Sequence, residues 1–188
     1  MKALNELLRE SMRGDDIMRL IYSEKSQKPP LRILRSFAGV ITEVRTMILN
    51  TTYLLTLARI KIDTGLLKAV TDGKIDWKLE EITVSLISIF ELQAKDAKLK
   101  IPANSVSEAI EAIFRTFKVE LFYKPEIIAA SFKVRKLIPD YLDCVIVATA
   151  VALREKLITK DSLILSEREV LEKEYGISIQ SYGEVVRS

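Results

Sequence analysis

Residues Ile138 to Asp161 read IPDYLDCVIVATAVALREKLITKD, and the fold follows from this stretch. Pro139 and Asp140 mark a helix start, and an acidic first turn suits the positive end of a helix dipole. CVIVATAVAL is apolar on nearly every face, so this helix is expected to be buried all round. After Arg154, Glu155 and Lys156 comes LIT, a short apolar strand ended by Lys160 and Asp161. One carboxylate, Asp143, therefore falls in the first turn of a buried helix, and another, Asp161, at the carboxyl end of a strand. In open α/β sheets the carboxyl ends of the strands are where ligands bind. Two acids at such places, flanked by apolar chain, cost desolvation energy unless something positive joins them. A divalent metal would do that.

Upstream, from Met47 onward, strands and helices alternate. TMILN is a short apolar strand ending at Asn50, and Thr51 or Thr52 is placed to cap a helix through YLLTLARI. Gly65 and Thr71–Gly73 break the next stretch. ITVSLI (Ile82–Ile87) begins as a second strand and turns into the helix SIFELQAKDAKL. Pro102, then Asn104 or Ser105, opens a helix through EAIEAIF. VELFY (Val119–Tyr123) reads as a third strand, and Pro125 suits a helix first turn with the helix running to about Lys136. Beyond Asp161, a helix near Ser166–Tyr175 leads to ISIQSY (Ile177–Tyr182) as a fifth strand. Five strands alternating with helices argue for a parallel sheet covered on both faces.

Composition narrows the chemistry. The 188 residues suffice for one domain with a sizeable core and an appended segment. No apolar run reaches the length of a membrane span, and MKALNELLRE is charged and amphipathic rather than a signal peptide. The single cysteine, Cys144, excludes an internal disulfide and fits a reducing cytoplasm; next to Asp143 in an apolar helix it reads as an inert buried thiol. The chain has no histidine. Ser-His-Asp and Cys-His catalysis and imidazole zinc sites are excluded, leaving carboxylates, hydroxyls, lysine or a metal. Scarce Asn and Gln beside abundant Glu, Lys and Arg lean toward an archaeal or thermophilic source.

Asn50 ends strand one, Glu91 lies on the helix after strand two, Asp143 starts the buried helix and Asp161 closes strand four. Their convergence on one rim would make three carboxylates and an amide, an oxygen set suited to Mg²⁺ or Mn²⁺, and such a metal favours phosphodiester hydrolysis. Each residue also has a plainer use. Asp143 suits a helix N-terminus, Asp161 a turn, Glu91 a surface pair with Lys95 at i, i+4, and Asn50 a turn or cap. Asp140 has its better claim as a helix cap, while Asp63 and Asp96 read as solvated.

The pieces ILNTTYLL, ITVSLISIFELQAK, DCVIVATA and LITKD, in this order between residues 48 and 161, resemble a PIN domain, and most closely the small VapC-type toxin ribonucleases of prokaryotes. The resemblance implies a PIN-like (flavodoxin-like) central parallel five-stranded sheet with helices on both faces, and a metal-dependent endoribonuclease centre using Mg²⁺ or Mn²⁺. It also implies a homodimer and an antitoxin-type protein partner whose tail enters the site. Carried over by position, Glu91, Asp143 and Asp161 match the metal-binding acids, and Thr159 matches the hydroxyl before the last acid. Thr51 follows the first site position. The departure is Asn50, where the family has aspartate. An amide is nearly isosteric and offers a carbonyl oxygen, but it removes a negative charge, so metal affinity and water activation should fall. Asn50 is either natural or an engineered inactivation. The implied function is RNA hydrolysis reduced or abolished at Asn50; the alternative is a non-catalytic PIN-fold RNA-binding or assembly module.

The resemblance runs from Met47 to the C-terminus (47–188). Residues 1–46 read as a helical extension with a linker. They carry nine of the 29 Lys/Arg and six of the 26 Asp/Glu, so the net charge of +3 resides there. Leu4, Leu7, Leu8 and Met12 form one helical stripe, Ser23–Pro30 reads as the linker, and Ile33, Phe37, Val40 and Val44 form a second stripe. Two uses stand open for this segment: a helix packed on the domain, and a partner or regulatory helix in which Arg32, Arg35 or Arg45 reaches the acidic site.

Overall fold

A computed structural model describes residues 46–60 and 65–187. The expectations for the N-terminal extension, Thr46 apart, and for Asp63 lie outside the described residues. The strands are β1 (Met47–Leu49), β2 (Ile82–Ser85), β3 (Lys118–Glu120), β4 (Lys156–Ile158) and β5 (Ile179–Gln180). All neighbouring pairs are parallel, and the spatial order is β3-β2-β1-β4-β5. The order reverses between β1 and β4, the place where open parallel sheets form a crevice at their carboxyl ends.

A 3-10 helix (Thr51–Ala58) follows β1, then α1 (Leu66–Thr71). Helices α2 (Leu86–Lys98) and α3 (Ala103–Thr116) connect β2 to β3, and α4 (Pro125–Val134) and α5 (Tyr141–Leu153) connect β3 to β4. Helices α6 (Ser162–Ser166) and α7 (Arg168–Tyr175) precede β5, and α8 (Tyr182–Val185) follows it. Alternation along the strands sends side chains to opposite faces. Met47, Leu49, Ile82, Val84 and Ile158 join a core with Tyr53, Leu54, Leu66, Leu92 and Ile113. Ile48, Leu157 and Ile179 join a second core with Ile127, Val134, Ile146 and Leu171. The sheet is thus covered on both faces, as expected. Among the described residues no helix is long and apolar enough to cross a membrane.

The opening stretch folds as read. Asp140 is the N-cap of α5, its carboxylate accepting from Leu142 N at 2.8 Å, a cap typically contributing about 1 kcal/mol. Every residue from Cys144 to Ala150 is buried. Full burial of an aliphatic side chain contributes roughly 1.5–3 kcal/mol, so α5 is the main anchor of its face. The Cys144 thiol is buried and donates to Ile138 O at 3.1 Å, and burial raises its pKa, which keeps it inert.

Several local expectations need correction. Asn50, not Thr51 or Thr52, caps the helix after β1, accepting from Thr52 N at 3.2 Å. Strand β3 stops at Glu120 and β5 spans two residues, because Leu121–Tyr123 and Ser181–Tyr182 leave the sheet for turns and helix starts. Helix α2 begins at Leu86 and α3 at Ala103 after Pro102, and the helix expected near Ser166–Tyr175 is two, broken at Glu167. Asp96 is not solvated. It is 0% exposed, both carboxylate oxygens lack a hydrogen-bond partner among the described residues, and burial raises its pKa.

Candidate active site

The crossover geometry of a parallel sheet brings strand carboxyl ends and the amino ends of neighbouring helices to one rim. Here the backbone N–H of Asn50 donates to Ile158 O, and that of Thr159 donates to Gln180 O, each at 3.0 Å. The ends of β1, β4 and β5 are therefore locked side by side. Asn50 and Thr51 sit at the end of β1, Thr159 and Asp161 just beyond β4, Glu91 in the second turn of α2 and Asp143 in the first turn of α5.

Thr51 links the first two pieces. Its hydroxyl donates to Glu91 Oε2 at 2.5 Å across 40 residues of sequence. Glu91 Oε1 receives Lys95 Nζ at 2.6 Å, so the surface-pair reading of Glu91 describes a real contact at the same rim. Thr159 is fully buried, and its Oγ1 accepts the Asp161 N–H at 3.0 Å. Asp161 Oδ1 in turn accepts Leu163 N and Ile164 N, both at 2.9 Å, as the N-cap of α6. Thr159 and Asp161 are thus held by a turn and a cap, and Asp161 Oδ2 has no hydrogen-bond partner among the described residues.

Asp143 differs from all of these. It is half-buried, and its carboxylate makes no hydrogen bond or ion pair with any described residue. Its pKa is pushed up to about 6, first by burial, then by the charges of Asp161, Glu91 and Asp140, with Lys95 alone among the named neighbours pulling it down. Charges on two other segments, Asp161 and Glu91, therefore act on Asp143. Helix position does not account for this, since a first-turn acid should be stabilised in its charged form. Burial and like charge outweigh the dipole.

Asn50 is 3% exposed. Its Oδ1 faces the Thr52 N–H at 3.2 Å and the Thr52 hydroxyl at 3.4 Å. A backbone donor fixes which amide atom faces it, so the Nδ2 group is turned away, and it is buried with no hydrogen-bond partner among the described residues. An aspartate in this conformation would keep the cap and place an acceptor oxygen where Asn50 has the orphaned donor.

Three carboxylates, one of them unpaired and repelled by the others, form an oxygen donor set whose chemistry fits a hard divalent cation. The donor chemistry suits such an ion but the placement does not: among the described residues no three His, Cys, Asp or Glu side chains are grouped so that they could hold a metal ion. Of the participants, Lys95 is the one the motif reading placed only as a surface partner. Its spacing from Glu91 marks the pair, but not its location at the rim.

No protein-family model matches the sequence, and no curated protein matches it. Solved structures match in fold. A chain of DNA-bound VapBC from Salmonella typhimurium is 15% identical with a TM-score of 0.53, the match covering 73% of this chain and 98% of that one. A chain of FitAcB from Neisseria gonorrhoeae is 17% identical with a TM-score of 0.52, covering 73% and 99%. A chain of VapBC-1 from nontypeable Haemophilus influenzae is 18% identical with a TM-score of 0.51, covering 73% and 98%. At these identities the likeness establishes a shared fold.

Proposed function

We propose that this chain is a PIN-type endoribonuclease of the VapC toxin class, metal-dependent and acting on RNA phosphodiesters, with its activity reduced or abolished by the amide of Asn50. The observation that carries the reading is the unpaired Asp143, coupled by charge to Glu91 and Asp161 at the reversal of strand order. Mg²⁺ or Mn²⁺ held by Glu91, Asp143 and Asp161 would polarise a phosphoryl oxygen and acidify a water for attack. The protein's own part is positioning. Thr51 holds Glu91 by one oxygen, and the Thr159 hydroxyl fixes the turn from which Asp161 projects. Asp161 spends one oxygen on α6 and keeps the other. Asn50 supplies the cap but a donor in place of an anionic oxygen.

The test is RNA cleavage with Mn²⁺ by the Asn50→Asp variant. Cleavage at least about tenfold faster than that of the unaltered chain is expected, since electrostatic contributions of this kind are worth several kcal/mol. A folded Asn50→Asp protein that cleaves no RNA in a metal-dependent way would overturn the reading. The orphaned Asn50 amide favours a second reading, a non-catalytic RNA-binding or assembly module on the same fold; metal-independent RNA binding without cleavage in both proteins would establish it.

The partners belong to the same proposal. Phe90, Phe132, Tyr123 and Tyr141 are 60, 66, 55 and 43% exposed, and Phe132 packs edge-on to Tyr141 with ring centroids 6.1 Å apart. Exposed aromatic residues on α2, the β3–α4 turn, α4 and α5 suit a protein contact, here a homodimer, with an antitoxin-type protein closing the acidic rim. A single buried thiol suits a cytoplasmic setting.

A further inference from the structure

At the edge of the sheet lies a cleft of about 400 Å³ lined by Leu165, Arg168, Ser181, Gly183, Glu184 and Arg187. Two hydrogen bonds tie its walls to the rim. Thr159 N donates to Gln180 O, the residue before Ser181, and Leu165 N donates to Asp161 O, each at 3.0 Å. The cleft is otherwise unlike the rim in charge. Arg168 Nη1 donates to Glu184 Oε1 at 2.6 Å, and Glu184 Oε2 accepts from Ser181 N and Oγ at 2.7 and 2.8 Å. The capping box at the start of α8 thus tethers the Arg168 guanidinium and uses one of its five N–H groups. Arg187 is exposed and has no ion-pair partner among the described residues. Two guanidinium groups against one carboxylate leave the cleft formally positive. Gly183 leaves room in it: a Cβ there would meet no atom within 4 Å.

We propose that this cleft is a backbone subsite, in which Arg168 and Arg187 hold phosphates of the RNA strand that flank the one presented to the acids. The inference rests on the ribonuclease reading and adds to it where the strand is gripped; the grip itself needs no metal ion. Carboxylates repel a polyanionic strand, so RNA that reaches the rim needs cationic holds beside it. Guanidinium groups suit that task, since their planar forks of donors match phosphate oxygens in pairs. Arg168 is already oriented by Glu184, which lowers the entropy it loses on binding. Arg187 brings the charge that no acid of the cleft neutralises.

The test is fluorescence anisotropy of a labelled single-stranded oligouridylate with the full chain in EDTA, across a salt series. Arg168→Gln combined with Arg187→Gln is expected to weaken binding about tenfold and to lower the slope of log affinity against log salt by about 0.7 for each arginine. Arg187→Gln alone, at an exposed position, should give about half that change of slope, and it carries the test if the pair perturbs the circular dichroism. Gly183→Leu, which adds bulk at constant charge, should also weaken binding. Arg115→Gln, on α3 before the opposite edge strand β3, should change affinity no more than about twofold. Unchanged affinity and slope in the arginine variants, or an equal loss with Arg115→Gln, would overturn the subsite. A greater loss of binding to polyglutamate than to RNA would assign the cleft to an acidic protein segment and overturn it too. Absence of RNA binding in every protein would likewise overturn it, and Mn²⁺-dependent cleavage by Asn50→Asp then decides the ribonuclease reading separately.

Discussion

Two carboxylates stand at the same end of the sheet with opposite surroundings. Glu184, on the short helix after β5, accepts from Ser181 N at 2.7 Å and Ser181 Oγ at 2.8 Å, and pairs with Arg168 at 2.6 Å. The Ser181 backbone N–H, then the Arg168 and Ser181 side chains, pull its pKa down to about 2. Asp143, at the start of α5, has no such donor, and burial among acids pushes it up to about 6. Chemically alike groups on one rim are thus separated by what donates to them. Glu184 is satisfied and closes a capping box. Asp143 is left in want of positive charge, which marks candidate functional groups.

The comparison is broken most strongly by removing each carboxylate's charge and measuring cleavage. In the Asn50→Asp background, Asp143→Asn is expected to lower the rate on the order of hundredfold, and Glu184→Gln to leave it within about twofold, because an exposed cap away from the reacting groups carries no such charge effect. Similar losses for the two would mean that the rim does not divide into a structural and a chemical part.

Stability against pH sharpens the same contrast. The folded Asp143 holds its proton up to about 6, whereas the unfolded chain releases it near 3.8. As pH rises between these values the unfolded state is increasingly favoured. Asp143→Asn should therefore stabilise the metal-free protein by about 2 kcal/mol above pH 6, with the gain gone below about pH 4; denaturant unfolding across that range measures it. A somewhat smaller effect separates the two uses of Asp161. Asp161→Ala should cost about 1 kcal/mol as a lost N-cap, and Asp161→Ser should restore that stability without restoring metal binding. Glu184→Gln gives the smallest effect and the opposite sign of pH dependence. Its depressed pKa contributes stability above about 4.5 that fades as pH falls toward 2, so the variant's thermal midpoint should be lower at neutral pH and converge with the parent in acid.

Much of this was legible along the chain. Short apolar runs marked the strands, an all-apolar stretch marked α5, and Asp140 announced its cap, because these signals depend on near neighbours. Strand ends were less legible: LFY continues the apolar run to Tyr123, yet pairing with β2 stops at Glu120. Asp96 looked like any helix-surface acid beside Lys95 and Lys98, yet the fold buries it completely. Asn50, Glu91, Asp143 and Asp161 were picked out by order and resemblance; their electrostatic coupling needed the fold.

The sequence by itself determined the α/β class, the parallel sheet with both faces covered, the buried helix and the absence of histidine chemistry, since hydrophobic period and residue type are local properties. Only the tertiary structure decided that strand order reverses between β1 and β4, that Thr51 reaches Glu91, that Asn50 caps with its oxygen and strands its amide, and that Asp143 is left unpaired while Glu184 is not. Hydrogen bonds and charge coupling fall off within a few ångströms. Residues 40 or more positions apart in sequence feel one another only after the sheet has brought them to one rim.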